Sequence, residues 1–277
     1  MILRLAHVSD IHFGCENAAA VAATRAWLEQ ERPHALLVTG DITQSGRRRE
    51  FEAARDWLKS ISTPTICTPG NHDTPYWDLL ARLAWPFQRY AGYIGPGTFE
   101  AVSAPGLEVA AMNTARGAQP RANWSKGQAR RADALRLCQR LSRSPDALKV
   151  AICHHPLMEV TGGPMTGRVW GGQEASRVLA EGGADLVLTG HVHMAFAHAL
   201  PFGDGRTYNV GASTLSMRER GCSAGFNLIE ADEQQIRVTA LGWTGSGFEA
   251  QRSWGFDRRS RSEDATLARS IEAQVQP

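Results

Sequence analysis

The feature that most narrows the fold is positional: five apolar runs each stop at Asp, Asn or His, residues that are rare inside the runs themselves. ILRLAHVSDIH ends at Asp10 and His12, ALLVTGD at Asp41, and TICTPGNHD at Asn71, His72 and Asp73. KVAICHHP ends at His154 and His155, and DLVLTGHVH at His191 and His193. Short apolar runs that stop at Gly or Pro read as buried strands. In sheet-based α/β proteins the ligand site gathers beyond the carboxyl ends of the strands. These ends therefore predict one cleft rich in carboxylate, amide and imidazole, which is the donor set of a metal centre.

Helical signals separate the first runs. NAAAVAATRAWLEQE, Asn17 to Glu31, is alanine-rich and opens on a capping asparagine. REFEAARDWLKSI, Arg49 to Ile61, sets Phe51, Ala54, Leu58 and Ile61 on one stripe at helical spacing. Strand and helix in alternation predict parallel pairing with right-handed crossovers. From Thr98 the pattern changes, because FEAVSAPGLEVAAMN reads as two strands joined at Pro105 and Gly106. A second helix-strand series runs from Lys126 to His193, and AFAHALPF, RTYNVGAS, GFNLIEAD and QIRVTALGW then read as short strands. Mixed sheets packed together, with helices outside, are expected.

The 277 residues suffice for one large domain, expected over 1–256, with a charged, Ser-rich tail over 257–277. A net charge of +2 and a pI near 8.4 are too mild to indicate nucleic acid or a membrane surface. The run Arg47 to Arg49 is followed at once by Glu50, Glu52 and Asp56 and reads as a solvated helix start. Cys15, Cys67, Cys138, Cys153 and Cys222 are widely spaced with no CxxC pair, which fits a reducing compartment better than a disulfide framework. No apolar stretch approaches the roughly 20 residues that span a bilayer, and the first strand begins too early for a signal peptide. A cytoplasmic protein is expected.

Singly, each polar cluster is common as a turn or a cap; the ordered set is specific. Asp10-x-His12, Gly40-Asp41, Gly70-Asn71-His72-Asp73, His154 and Gly190-His191-x-His193 together resemble the calcineurin-like metallophosphoesterase family, over roughly Ile2 to Val210. GDITQSGRRREFEAARDWL and TPGNHDTPYWDLL look like its bacterial branch of cyclic-nucleotide and glycerophosphodiester phosphodiesterases. The resemblance implies an α/β (α+β) chain in a four-layer αββα fold, two mixed sheets packed face to face with flanking helices. It implies one metal on Asp10, His12, Asp41 and His193, and a second on Asp41, Asn71, His154 and His191, with Asp41 bridging. His154 is preferred to His155 because the family ligand stands two residues before the proline, here Pro156.

The chemistry accounts for these residue types. Two cations about 3.5–4 Å apart repel, and a shared carboxylate offsets that repulsion. Oxygen and imidazole donors together suit Mn, Fe, Zn or Co better than Ca. A hydroxide bridging two such ions is expected to attack the phosphorus of a small phosphodiester. His72 is expected to stabilise the transition state or protonate the leaving alkoxide, with Asp73 orienting its ring.

The alternatives are a DNA exonuclease or a phosphomonoesterase of the same superfamily, a lipid-precursor pyrophosphohydrolase, and a non-catalytic scaffold. No basic face or appended module supports the exonuclease, His72 stands where the pyrophosphohydrolase branch has Arg, and no metal donor is missing as in a scaffold. Nucleic acid and membrane are not expected partners, and the sequence leaves a homo-oligomer open. His7 reads as a core histidine, and His34 and His198 as surface residues. Asn113 and Arg116 either border the cleft or close a turn, and Leu157 to Gly172 is either a mobile substrate-facing rim or a plain connection.

Overall fold

The computed structural model describes residues 2–96, 101–159 and 168–259. The first half-molecule is built as its periodicity predicts, with β1 (Leu3–Val8), α1 (Ala18–Glu31), β2 (Ala35–Thr39), α2 (Arg48–Lys59) and β3 (Thr65–Thr68). The side chain of Asn17 caps α1 by accepting from the Ala20 amide at 3.1 Å. Two short helices, α3 (Leu79–Ala84) and α4 (Gln88–Tyr93), follow without a sequence signal of their own. The second series contains β4 (Ala101–Ala104), β5 (Leu107–Ala111), α5 (Arg131–Leu141), β6 (Leu148–Ile152), α6 (Gly172–Glu181) and β7 (Leu186–Thr189). The chain then adds β8 (Phe196–Ala199), β9 (Tyr208–Gly211), β10 (Gly225–Ala231), β11 (Gln235–Trp243) and β12 (Phe248–Asp257).

These strands form two six-stranded sheets, ordered β12-β11-β10-β1-β2-β3 and β4-β5-β6-β7-β9-β8. The pairs β1/β2 and β2/β3 in one sheet, and β5/β6, β6/β7 and β7/β9 in the other, are parallel. Pairings toward the edges are antiparallel, including β4/β5 across the expected turn. Both sheets are therefore mixed.

Strand alternation assigns the layers. Leu3, Leu5, Leu37 and Ile66 meet Val109, Val150, Leu188 and Val210 between the sheets. Ala6, Val8, Leu36 and Val38 turn the other way, onto Val21 and Leu28 of α1 and Phe51 and Trp57 of α2. Ala151 and Val187 likewise pack on Leu137 and Leu141 of α5 and on Val178 and Leu179 of α6. The four-layer αββα sandwich follows from this period-two partition.

The strand β12 was not legible, because FEAQRSWGFD is polar and largely exposed. Its backbone pairs with β11 across a bulge at Ala240 and Leu241, while Trp254 and Phe256 rest against the inter-sheet core. The first residues of the expected tail also belong to the packed body. Arg259, 3% exposed, places Nε 2.7 Å and Nη2 2.8 Å from the Asp204 carboxylate, and Nη1 3.6 Å from Asp185. The rest of that tail, 260–277, lies outside the described residues.

Candidate metal centre

Five strands, parallel to their neighbours within two sheets, open their carboxyl ends on one seam. Asp10 and His12 follow β1, Asp41 follows β2, Asn71 to Asp73 follow β3, His154 and His155 follow β6, and His191 and His193 follow β7. Asp10, His12, Asp41, His191 and His193 all have left-handed backbone, with φ of 52°, 52°, 48°, 69° and 57°. Each such residue costs on the order of 1–3 kcal/mol. Among the described non-glycine residues, only the helix-capping Arg32 shares this conformation, so the strain is concentrated where the side chains converge.

Backbone bonds lock the strand ends to one another. The Asp10 amide donates to Gly40 O at 3.0 Å, the His12 amide to Asp41 O at 3.0 Å, and the Gly190 amide to His154 O at 2.8 Å. Two glycines permit the approach. A Cβ on Gly70 would lie 2.1 Å from Asp41 Oδ1, and one on Gly190 would lie 1.7 Å from Ser9 Oγ and 2.5 Å from Asp10 Oδ2.

Hydrogen bonds on the outside of the cluster orient the donors inward. His154 Nδ1 donates to Thr39 O at 2.8 Å, and His193 Nδ1 to Arg218 O at 2.7 Å, which leaves each Nε2 as an acceptor facing the centre. Asp10 Oδ2 is satisfied by Ser9 Oγ at 2.5 Å and the His191 amide at 2.9 Å. Its Oδ1 stands 3.1 Å from His193 Nε2 and 3.7 Å from His12 Nε2. Asp41 Oδ1 accepts from the His72 amide at 2.7 Å, while Oδ2 lies 3.3 Å from His154 Nε2 and 3.9 Å from His12 Nε2.

Asp10 Oδ1, Asn71 Oδ1 and His154 Nε2 are buried without a hydrogen bond. His12 Nε2 and His193 Nε2 lie 3.2 Å apart, a hydrogen bond when His12 carries its proton on Nε2. The acceptors left without a donor, away from water, are costly unless cations lie among them. Two overlapping groups of donors meet this requirement, Asp10 with His12 and His193, and Asp10 with Asp41 and His154. His191 joins His154 and His155 in a third.

The electrostatics agree. Burial opposes ionisation of Asp10 and Asp41, yet the surrounding imidazoles, His193 foremost for Asp10 and His154 for Asp41, hold both carboxyls well below the usual range. Burial pushes His12 down to about 4 and His191 down to about 3, so both are neutral bases with a lone pair to give. For His154 burial is outweighed by Asp41 and Asp10, which push it up to about 9. The two carboxylates favour a positive charge beside His154, the place a metal ion would take. His155 differs, because Nδ1 meets Thr114 Oγ1 at 2.9 Å and Nε2 meets Ser125 O at 2.8 Å, leaving neither nitrogen free.

One expectation needs correction. Asp73 does not touch the His72 ring; its oxygens accept from the amides of Ile42, Thr43 and Gly70 and from Thr43 Oγ1, at 2.8–3.2 Å. Burial and the charge of Asp41 push its carboxyl up to about 7 against those donors. The ring of His72 is held by Gln44, whose carbonyl accepts from Nδ1 at 2.7 Å. Asn113 and Arg116 close a turn, with Asn113 Oδ1 accepting from the Ala115 amide and Arg116 Nη1 donating to Asn113 O. His7 is a core histidine, bonded to Thr39 Oγ1 at 3.0 Å.

Asp41, Asn71, His72, His191 and His193 form the floor of a cavity of about 660 Å³. Its walls are Tyr76, Leu79, Arg82, Trp124, Arg218 and Arg220, together with Asn123 and Ser125. Sequence reasoning missed this wall. A signal for Arg218 existed: β9 is parallel to β7, so its carboxyl end opens on the same seam, and RTYNVGAS could have been treated as a further metal-side strand end. Of the expected rim, 160–167 lie outside the described residues; among the described residues, Asn123, Trp124 and Ser125 line the cavity.

A sandwich of mixed sheets whose strand ends converge on buried carboxylates and imidazoles defines a metal-binding hydrolase site. The chain belongs to the calcineurin-like phosphoesterase family, whose pattern matches residues 3–195, and it is therefore an enzyme of the phosphoester hydrolase class. It is 28% identical over 260 residues to a probable cyclic nucleotide phosphodiesterase of Synechococcus sp., spanning 88% of this chain and 93% of that protein. Over 80 residues it is 39% identical to a glycerophosphodiester phosphodiesterase of Enterobacter lignolyticus, covering 25% of this chain and 29% of the relative. A dimetal phosphatase from Danio rerio superposes with a TM-score of 0.66 at 13% identity, over 93% of this chain and 99% of that one. A purple acid phosphatase from yellow lupin gives 0.66 at 12% identity, over 94% and 55%. At such identities these structures share the fold, which by itself does not specify the substrate. Among the described residues, no helix is long and apolar enough to cross a membrane.

Proposed function

We propose that the protein is a binuclear metal-dependent phosphodiesterase acting on small phosphodiesters, with cyclic nucleotides favoured over glycerophosphodiesters. The observation that carries this reading is the buried set of acceptors without hydrogen bonds around Asp41, lying in a cavity with Tyr76 and Trp124 in its wall. Ring faces of this kind suit a nucleobase better than glycerol. The near full-length likeness to a probable cyclic nucleotide phosphodiesterase supports the same choice.

In this reading Asp10, His12, Asp41 and His193 hold one cation, and Asp41, Asn71, His154 and His191 the other. His154 is preferred to His155 because both nitrogens of His155 are already bonded. The mixed oxygen and imidazole set favours Mn, Fe, Zn or Co. Two such cations supply Lewis acidity, lowering the pKa of water from 15.7 towards about 7 and neutralising phosphoryl charge. Asp41 offsets the repulsion between them. His72, fixed through Nδ1 by Gln44, presents Nε2 to the cavity, where, once that nitrogen has taken up a proton from solvent, it can deliver it to the leaving alkoxide. The five free cysteines favour the reducing cytoplasm as its compartment.

The test is manganese-loaded enzyme on an aryl phosphodiester, the matching monoester, 3′,5′- and 2′,3′-cyclic nucleotides and a glycerophosphodiester. Cyclic nucleotides and the aryl diester are expected to lead in kcat/KM. A preference for the monoester overturns the assignment.

A further inference from the structure

Two guanidinium groups in the cavity wall, Arg218 and Arg220, form no ion pair with a carboxylate among the described residues. Both sit on the segment between β9 and β10, two positions apart. Arg218 is half-buried, with Nη1 3.2 Å from His72 Nε2 and 3.5 Å from His12 Nε2. Its backbone is fixed to the centre, since its carbonyl accepts from His193 Nδ1 at 2.7 Å and its amide donates to Ser216 Oγ at 3.2 Å. Arg220 Nη1 is buried with no hydrogen-bond partner. Arg82 in the same wall is different: its Nε donates to Gly117 O at 2.8 Å, and its guanidinium lies 5.9 Å from the Tyr76 ring centre and 5.7 Å from that of Trp124, so it is a strut.

Holding two like charges together in a partly desolvated wall is unfavourable unless an anion joins them. Burial and the neighbouring Arg218 lower the basicity of Arg220, as such crowding requires. The carboxylates whose charge acts on Arg220, Asp10 and Asp41, face the metal ligands, and Glu219 between the two arginines accepts from the Ala224 amide at 3.0 Å. The partner must therefore enter through the cavity, and the guanidinium fork matches phosphoryl oxygens.

We infer that Arg218 and Arg220 are the phosphoryl-binding arm of the site: Arg218 exchanges His72 Nε2 for an oxygen of the scissile phosphoryl group, and Arg220 supplies the second positive charge. Release of His72 Nε2 in that exchange also frees it to face the leaving oxygen. The inference rests on the phosphoester chemistry proposed above and is independent of which phosphoester is preferred.

The experiment uses manganese-loaded enzyme and the variants Arg218→Ala, Arg218→Lys and Arg220→Ala, with inorganic phosphate as the probe in titration calorimetry. Metal content, kcat and KM for an aryl phosphodiester are measured alongside. Arg218→Ala is expected to weaken phosphate binding about 10- to 100-fold and to lower kcat/KM by at least as much, with metal content unchanged. Arg218→Lys should recover part of the phosphate affinity. Arg220→Ala should weaken phosphate about tenfold and raise KM with little change in kcat. Wild-type phosphate affinity in Arg218→Ala overturns the inference, as does loss of metal in that variant, which would make Arg218 a prop for His193. Failure of the diesterase reading shows separately, as monoester preference in the wild type with the phosphate affinities still in this order.

Discussion

Asp41 Oδ2 lies 3.3 Å from His154 Nε2, although Asp41 follows a strand of one sheet and His154 a strand of the other. The centre therefore straddles the seam of the sandwich, and Asp41, like Asp10 against His193, is an anion that both halves share. Asp41→Asn keeps the size and the tolerance for left-handed backbone but removes the charge. It is expected to lose at least one ion per chain and more than about 100-fold in diester kcat/KM, measured by elemental analysis and steady-state assay.

The close approach across that seam depends on glycine. Gly70→Ala drives a Cβ to 2.1 Å from Asp41 Oδ1, a contact that only movement of the carboxylate or the backbone relieves. The expected cost is about 1–3 kcal/mol of stability together with weaker metal binding. Denaturant unfolding of the metal-free protein and metal titration measure the two effects separately.

His72 and Asp73 are neighbours with opposite expected phenotypes. His72→Ala removes a ring in the cavity whose Nδ1 bonds only locally, so metal content should persist while kcat falls about 10²- to 10⁴-fold. Asp73→Ala strands the buried amides of Ile42, Thr43 and Gly70, each worth about 1–3 kcal/mol when unsatisfied. Its primary defect should be lost stability, seen as a large fall in Tm.

Much of this centre was legible because strand ends obey a rule that side chains report directly: an apolar run specifies a buried strand, and the polar residue after it specifies the cleft. The clusters at Asp10 and His12, Asp41, Asn71 to Asp73, His154 and His155, and His191 and His193 could be located for that reason, while the choice of ligands among them, His154 over His155 included, came from the family resemblance. The role of Asp73 was not legible, since a carboxylate beside a ligand motif looks the same whether it faces the ring or the backbone amides behind it. Arg220 was hidden because a loop has no period to reveal which way its side chains turn, and Arg218 because the end of the strand before it was not counted among the seam's strand ends. The strand β12 was hidden because backbone pairing with β11, rather than apolar alternation, defines it.

The clasp at the end of the described chain gives a pH dependence with a definite sign. The Asp204 carboxyl, which burial alone would raise, is held below its ordinary value of 3.8 by hydrogen bonds from Arg259 and the Arg206 amide. A depressed carboxyl contributes stability that is present above the ordinary value and lost as pH falls through the folded one. Arg259→Ala should cost about 1–3 kcal/mol near neutrality, because it leaves the buried Asp185 and the partly exposed Asp204 without this cation. The gap between variant and wild type should narrow as pH drops below 3.8. Denaturant melts at neutral and acid pH measure it.

The central claim is that two cations share Asp41. Anomalous diffraction at the manganese edge from metal-soaked crystals tests it most directly. The account predicts two peaks about 3.5–4 Å apart, both bonded to Asp41, with His154 on one and His12 and His193 on the other. A single peak, no peak under metal-replete conditions, or coordination by His155 in place of His154 would contradict it.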